Sequence, residues 1–118
     1  MRYTLQIKEF EAFVFLGCFP DEQAERRRVI FNISLFLRNA PIGCTSDLHE
    51  NTICYERLTS VIHEQLQDKR FHLIESLAMY VYKSIKHTIG DDIDISVEAI
   101  KPRPKENISE ARFIISDL

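Results

Sequence analysis

The sequence predicts a single α+β domain over residues 1–118, built as a four-stranded antiparallel sheet with two helices on one face. The first observation is the order of periodic segments, which is strand, strand, helix, helix, strand, strand. The second is that no linker, repeat or low-complexity stretch divides the chain. Neighbouring strands without a helix between them favour antiparallel pairing, and two consecutive helices can then cover one side of the sheet.

The first two strands form a hairpin. Over residues 3–16 the odd positions are apolar at 3–7 and again at 13–15, after Glu9 and Glu11, which predicts a long strand with a bulge in its middle. Gly17 ends this strand, and residues 20–25 are predicted as a polar loop. Residues 29–38 then alternate strictly between two faces, so they predict the second strand.

Two helices and two strands complete the domain. Residues 39–54 have turn chemistry, and apolar spacing predicts helices over 55–68 and 72–89, the second closed by Gly90. A third strand covers 93–101. The two prolines that follow it are expected to stop this strand, and a short fourth strand is expected over 111–117.

The second face of the predicted sheet is half apolar. This face carries Ile30, Phe36, Ile100 and Ile114, and the sheet leaves two open edges. An apolar face and free edges are unfavourable for a monomer. We therefore expect a ring-shaped homo-oligomer in which subunits join through sheet edges.

The composition excludes several classes of protein. With 45% hydrophobic residues, 28% charged residues and a net charge of −3, the balance favours neither nucleic acid nor a membrane as partner. The three cysteines include no C-x-x-C pair and are expected to be free thiols of a cytoplasmic protein. The four histidines match no metal-ligand spacing, so no metal site is expected.

Glu75 is the first candidate for a binding residue. It lies in the first turn of the second predicted helix, one position from its apolar stripe, where its two oxygens could accept paired N–H donors from a flat ligand. A carboxylate in a first turn also stabilises the helix dipole, which is the more common role. A capping box does not account for Glu75, because the residue three positions earlier is His72.

Four motifs in this order carry a family resemblance. Residues 17–23 read G-C-F-P-D-E-Q, residues 46–55 read S-D-L-H-E-N-T-I-C-Y, residues 71–78 read F-H-L-I-E-S-L-A and residues 100–102 read I-K-P. Their order and spacing resemble the dihydroneopterin aldolase family over nearly the whole chain. The resemblance implies the ββααββ tunnelling fold, with four subunits closing a barrel and two rings often stacking into an octamer.

The resemblance also implies an activity. The family cleaves 7,8-dihydroneopterin to glycolaldehyde and 6-hydroxymethyl-7,8-dihydropterin for folate synthesis, with neither metal nor Schiff base. It assigns Glu75 to the 2-amino and N3 edge of the pterin, beside the backbone of Leu73 and Ile74. Because the pterin ring can accept the electrons of the breaking bond, positioned acid and base groups can suffice for this chemistry.

The remaining site residues follow from the same resemblance. Lys101 transfers protons, usually through a bound water, and Glu22 lies on the loop over the side-chain end of the substrate. Tyr55, from the neighbouring subunit, packs on the ring and takes part in protonating the enol intermediate, and Ile53 belongs to the same binding segment. Considered without the motifs, a snorkelling or edge-guarding role is favoured for Lys101, a core position at a helix start for Tyr55 and a solvated loop charge for Glu22.

The sequence departs from the family in three places. Asn51 replaces the usual Asp, which could weaken a hydrogen bond in the loop before Tyr55, and residues 102–107 lack the usual A-P-x-x-G. The third departure is a more basic segment, Arg26 to Arg28. With Arg103 and Lys105 it could receive a substrate phosphate.

That basic segment favours an alternative activity, dihydroneopterin triphosphate 2'-epimerase. A non-catalytic ring-forming protein is a further alternative, but a silent scaffold has no need of both Glu75 and Lys101. The basic residues are few and are offset by Asp21, Glu25 and Glu106. We therefore rank cleavage above epimerisation.

Overall fold

The computed structural model describes all residues 1–118. A curled sheet of five strands is covered on one face by two long helices. The strands in chain order are β1 (Tyr3–Leu16), β2 (Arg27–Leu37), β3 (Arg70–Phe71), β4 (Asp94–Lys105) and β5 (Ile108–Ser116). The helices are α1 (Pro20–Ala24), α2 (Gly43–Ser46), α3 (Tyr55–Leu66) and α4 (Ile74–Ile89), with a 3-10 turn at His49–Asn51.

The sheet order is β3-β1-β2-β4-β5. The four long strands pair antiparallel, as predicted, but β3 adds a parallel pairing in which Arg70 and Phe71 lie beside Phe15 and Leu16. The prediction of a purely antiparallel four-stranded sheet is therefore wrong by this one strand. Two residues are too few for side-chain alternation to be read from a sequence.

The predicted bulge in β1 is present, with a consequence that the sequence reading missed. The β1–β2 register shifts between Ile7 and Phe10, and Glu9 has a φ of 57°. The extra residue reverses which side chains face the core, because alternation has a period of two. Beyond the bulge the core is therefore filled by even positions, and the predicted inward positions 13 and 15 face outward. Those buried even positions are Ala12, Val14 and Leu16.

The two prolines in β4 do not end it. β4 continues to Lys105 and still pairs with β5 at Pro102–Glu110, with an irregularity between Pro102 and Lys105. Its last pair with β2 is Ile30–Ile100, so beyond Ile100 one edge of β4 has no partner strand. A proline is tolerated there because its missing N–H faces an unpaired edge.

The helices supply the other half of the core. α3 buries Leu58, Ile62 and Leu66, and α4 buries a stripe that includes Leu77, Val81 and Ile85. Both helices were predicted, and the segment 20–25, predicted as a loop, contains the short helix α1. Pro20 at the first position and acidic residues in the first turn favour that helical turn.

The second face of the sheet is partly covered within one subunit. Ile30 and Ile100 pair directly across β2 and β4, and Ile100 is only 5% exposed, whereas Ile114 is 52% exposed. β5 has an open outer edge, and β1 is unpaired on one side before Phe15. The assembly of these edges into a ring remains a prediction.

Candidate active site

Glu22 and Lys101 form the centre of the candidate site. The Lys101 ammonium donates to the Glu22 carboxylate at 2.7 Å, and both side chains are mostly buried, at 17% and 20% exposure respectively. The hydrogen bond from Lys101 outweighs the effect of burial, so the pKa of Glu22 lies below its ordinary value of 4.5. Glu22 is thus ionised at neutral pH.

Gly17 provides the space that Glu22 occupies. Its φ is +147°, which favours glycine, and a Cβ added at this position would lie 2.3 Å from the Glu22 Cβ. The Glu22 carboxylate also accepts a long hydrogen bond of 3.4 Å from the backbone N–H of Phe19. The glycine that ends β1 therefore allows α1 to fold back with its carboxylate toward Lys101.

Gln23 ties α1 to the strand that precedes α4. Its side-chain amide donates to the carbonyl of Gly17 at 2.7 Å and to that of Phe71 at 2.9 Å. The backbone N–H of Gly17 donates to the same Phe71 carbonyl at 3.0 Å. These bonds join the segments 17–23 and 71–78, which are far apart in sequence. Gln23 was not a predicted site residue, because nothing in its spacing distinguishes it from a solvated loop residue.

A stack of two arginines on Phe15 supports this junction. The guanidinium of Arg70 lies 3.9 Å from the ring centroid and that of Arg26 lies 4.8 Å from it. Arg26 also donates to the carbonyl of Gln67 at 2.9 Å, and Arg70 donates to that of Gln23 at 2.9 Å. Phe15, which the bulge turns outward, thus anchors two loops beside the site.

The first turn of α4 lies next to the Gly17 segment. The Cys18 thiol is 3.5 Å from the carbonyl of His72, which places Leu73, Ile74 and Glu75 at this end of the sheet. No side chain caps the start of α4 at Leu73, so the first backbone N–H groups are open to a ligand. Glu75 is exposed and forms no ion pair within 4 Å in this chain. The predicted binding residues of this helix therefore lie on the same side of the molecule as the Glu22–Lys101 pair.

Comparison with known proteins identifies the family. The family model described as dihydroneopterin aldolase matches residues 5–115. A curated Chlamydia pneumoniae protein named "probable dihydroneopterin aldolase" is 32% identical over 118 residues, which cover 98% of this chain and 88% of the relative. The chain belongs to the dihydroneopterin aldolase family. The predicted family is thereby confirmed, and with it the enzyme class, a lyase.

Solved structures with low sequence identity share the dihydroneopterin aldolase fold. An E. coli dihydroneopterin aldolase in complex with neopterin has a TM-score of 0.87 at 16% identity, covering 98% of this chain and 99% of its own. A Burkholderia dihydroneopterin aldolase bound to guanine has a TM-score of 0.79 at 18% identity, covering 99% of this chain and 91% of its own. At these identities the likeness supports the fold.

Ile53 and Tyr55 lie at the opposite end of the sheet from the Glu22–Lys101 pair. Ile53 lines a cavity of about 600 Å³ together with Leu37, at the far end of β2. From the Arg28 end of β2 to Leu37 the strand spans about 30 Å. Tyr55 begins α3 there and is 58% exposed. Within this dihydroneopterin aldolase family member, one chain therefore does not bring the predicted residues Ile53 and Tyr55 together with Glu22 and Lys101.

Asn51 keeps a hydrogen bond inside its motif. Its side-chain amide donates to the Ser46 hydroxyl at 2.8 Å, and the backbone N–H of Leu48 donates to the same hydroxyl at 3.3 Å. The loop before Tyr55 is therefore held at its Ser46 end although the family's usual Asp is absent. The expectation that the substitution weakens a bond is a prediction that these contacts leave open.

The chain shows neither a cluster of metal-ligand side chains nor a membrane-spanning helix. No group of three or more His, Cys, Asp or Glu side chains is placed to hold a metal ion. No helix is both long enough and apolar enough to cross a lipid bilayer. A reaction without metal or cofactor remains the prediction drawn from the resemblance.

Proposed function

We propose that this protein cleaves 7,8-dihydroneopterin to glycolaldehyde and 6-hydroxymethyl-7,8-dihydropterin, at sites shared between subunits of a homo-oligomer. Membership of the dihydroneopterin aldolase family supports the reaction. The observation that carries the proposal is the Glu22–Lys101 pair, because it joins two family motifs at a distance of 2.7 Å beside the open first turn of α4. A proton-transfer group and a binding carboxylate thus lie at one end of the subunit.

The chemistry of cleavage sets what the site must do. Glycolaldehyde has two carbons, so the bond between C1' and C2' of the side chain breaks. The 2'-hydroxyl loses its proton and becomes the aldehyde, while the bonding electrons enter the pterin ring and form an enol. C1' then gains a proton, and no oxidant or reductant is consumed. Groups placed for proton transfer contribute about 10²–10⁴-fold to such reactions.

In this proposal Lys101 transfers the protons and Glu22 positions it. The ion pair keeps the Lys101 ammonium in the pocket and directed toward α1, where the side chain of the substrate would lie. Substrate hydroxyls can compete for the same carboxylate, since an ionised carboxylate accepts several hydrogen bonds. Substrate binding would then free Lys101 for proton transfer.

The pterin ring would bind at the start of α4. The Glu75 carboxylate can accept two parallel N–H donors from the 2-amino and N3 edge. The uncapped backbone around Leu73 and Ile74 adds donors and acceptors for the ring. Because Glu75 is exposed and forms no ion pair, both of its carboxylate oxygens are available to the ring.

The second half of the site would come from a neighbouring subunit. Tyr55 would stack on the ring and help to protonate the enol, and Ile53 would line the ring pocket. Since Ile53 lies beside Leu37 at one end of β2 and Lys101 lies near the other end, a head-to-tail ring can bring Tyr55 to Lys101 and a monomer cannot. The open edges of β1 and β5 offer the surfaces for such a ring, as a tetramer or a stacked octamer.

The test is product analysis with purified protein and 7,8-dihydroneopterin. We expect equimolar glycolaldehyde and 6-hydroxymethyl-7,8-dihydropterin, with Lys101→Met as the inactive control. A protein that binds the pterin and yields neither product would contradict the proposal.

A second candidate, the 2'-epimerase, is favoured by one observation. The basic residues 26–28, 103 and 105 line one groove next to Lys101. If the aldehyde turns its opposite face to the enol and the two recombine before they separate, the product is the 2'-epimer. Chromatography that resolves the two epimers separates this outcome from cleavage.

A further inference from the structure

A groove with an excess of positive charge begins at the Glu22–Lys101 pair. It encloses about 660 Å³ and is lined by six cationic side chains but only two carboxylates, Asp21 and Glu22. The chain as a whole has a net charge of −3, so this groove has the opposite sign to the rest of the molecule. The six cationic residues are Arg26, Arg27, Arg28, Lys101, Arg103 and Lys105.

We propose that this groove binds a phosphate on the side-chain end of the substrate, so that the enzyme takes a phosphorylated dihydroneopterin in preference to the free triol. The inference rests on the proposed function, because that function places the side chain at Lys101. A terminal phosphate would extend from Lys101 into the groove. Grooves lined by one sign of charge concentrate ligands of the opposite sign.

Not all six cations are available to a ligand. Arg28 is paired with Glu11, and Arg26 is held by Phe15 and by the carbonyls of Phe13 and Gln67. These two residues contribute charge rather than direct contacts.

The remaining arginines and Lys105 have free capacity. The Lys105 side chain forms no ion pair or hydrogen bond, and the Arg103 side chain donates only to the carbonyl of Glu106 at 3.0 Å. Arg27 makes one weak bond, of 3.4 Å, to the carbonyl of Asp21. Its Nε is a buried side-chain nitrogen without a hydrogen-bond partner. A buried donor left unpaired is unfavourable, and a phosphate oxygen is a strong acceptor for it.

The turn after Pro102 holds Arg103 in an uncommon conformation. Arg103 has a φ of 44°, in the left-handed region, and it lies between two prolines that fix their own backbone angles. The irregular register of β4 at Pro102–Lys105 occurs at the same place. Arg103 and Lys105 therefore lie on a conformationally restricted turn of β4 rather than on a flexible segment.

The reaction stays balanced with a phosphorylated substrate. The C1'–C2' bond breaks, the 2'-hydroxyl becomes the aldehyde of glycolaldehyde phosphate, and C1' gains a proton. The phosphate ester is not broken. The phosphate serves for binding alone, and its contacts hold the departing fragment as well as the substrate.

The experiment compares dihydroneopterin 3'-phosphate with dihydroneopterin in the wild type and in Lys105→Gln and Arg27→Gln. We expect kcat/KM to favour the phosphate by about ten-fold or more at low salt, as one charge-assisted contact allows. This preference should fall with salt and fall in both variants. Lys105→Arg should restore it, and Arg2→Gln, which changes an exposed arginine outside the groove, should leave it intact.

Equal rates with the two substrates, or losses that are the same for both, would overturn the phosphate site. Calorimetry with inorganic pyrophosphate tests the groove without any turnover, and it should show binding that Lys105→Gln weakens. If pyrophosphate binds while neither substrate is cleaved, the proposed function fails and the groove stands. Conversion of the phosphate to its 2'-epimer without cleavage would likewise support the groove and overturn the cleavage step.

Discussion

The Glu22 carboxylate and the Lys101 ammonium lie 2.7 Å apart although 79 residues separate them in the chain. One is carried on a short helix after β1, and the other lies on β4. The contact forms only if α1 and β4 are both correctly placed, so a change in either element should also change the candidate site.

Lys101→Ala should reduce turnover and spare pterin binding. If Lys101 transfers protons, kcat should fall by about 10²–10⁴-fold, while the affinity for 6-hydroxymethyl-7,8-dihydropterin changes little. Steady-state kinetics and calorimetry on the same preparation measure both. Lys83→Ala, at an exposed position of α4, is the matched control. A raised KM with unchanged kcat would make Lys101 a binding residue instead.

Glu75→Ala should weaken pterin binding and leave the fold intact. A bidentate charge-assisted contact contributes about 1.5–3 kcal/mol, so affinity should fall by roughly ten-fold or more. Calorimetry with a pterin measures this, and Glu64→Ala on the exposed side of α3 serves as the control. An unchanged affinity with lower thermal stability would show that Glu75 serves the helix dipole.

Gly17→Ala should lower activity through Glu22. The new Cβ would meet the Glu22 side chain at 2.3 Å and displace it from Lys101. Gly90→Ala is a close control, because Gly90 also has a positive φ of 92° but nothing lies within 4 Å of its added Cβ. Both variants should lose about 1–3 kcal/mol of stability from backbone strain. Only Gly17→Ala should lose turnover, and equal activities in the two would contradict this role of Gly17.

Two inactive variants should restore activity when their subunits are mixed. If each site takes Lys101 from one chain and Tyr55 from its neighbour, Lys101→Ala and Tyr55→Ala subunits refolded together form about a quarter of intact sites. The measurement is glycolaldehyde release before and after mixing. No recovery in an oligomer that has exchanged subunits would place the whole site in one chain.

The C-terminal contact of Asp117 should make stability depend on pH at both extremes. Burial disfavours its charge, but hydrogen bonds from Lys86, Tyr82 and the Ile95 backbone together lower the pKa of Asp117 below its ordinary 3.8. The hydrogen bond to Asp117 raises the pKa of Lys86 above its ordinary 10.5. The pair therefore stabilises the fold from above pH 3.8 to below pH 10.5, and this contribution is lost outside that window.

Asp117→Ala should remove that contribution. We expect a loss of about 1.5–3 kcal/mol at neutral pH and a flatter dependence of the unfolding free energy on pH. Urea unfolding at several pH values measures it, with Asp68→Ala, exposed and unpaired, as the control. A pH dependence of the unfolding free energy identical to that of the wild type would show that Asp117 does not make this contribution.

Periodicity predicted most of the fold, because the long strands and helices bury regular stripes. It failed where an element is short or depends on its neighbours. β3 exists only because Arg70 and Phe71 meet the end of β1. Pro102 was expected to end β4, since a sequence does not show that β2 has already stopped pairing with β4 beside it.

The candidate site was partly readable for the same reason. The motifs named Glu22, Lys101 and Glu75 as candidates, but they did not show that Lys101 meets Glu22 directly. Gln23 and the arginines on Phe15 were missed, because their roles lie in long-range contacts to backbone carbonyls and to a ring. That Tyr55 lies at the far end of the sheet also emerges only from the three-dimensional arrangement.

The bulge at Glu9 decides which side chains of β1 face the core between the bulge and the candidate site. One extra residue puts Ala12, Val14 and Leu16 inside and leaves Phe15 outside, where Arg26 and Arg70 stack on it. A chain shortened by one residue at this point would be out of phase from Phe10 onward. Phe15 would turn into the core, and Arg26 and Arg70 would lose the ring on which they stack. The chain after Gly17 would then place α1 on the opposite side of the sheet. The position of the Glu22 carboxylate thus depends on the one extra residue of the bulge, thirteen residues earlier in the chain.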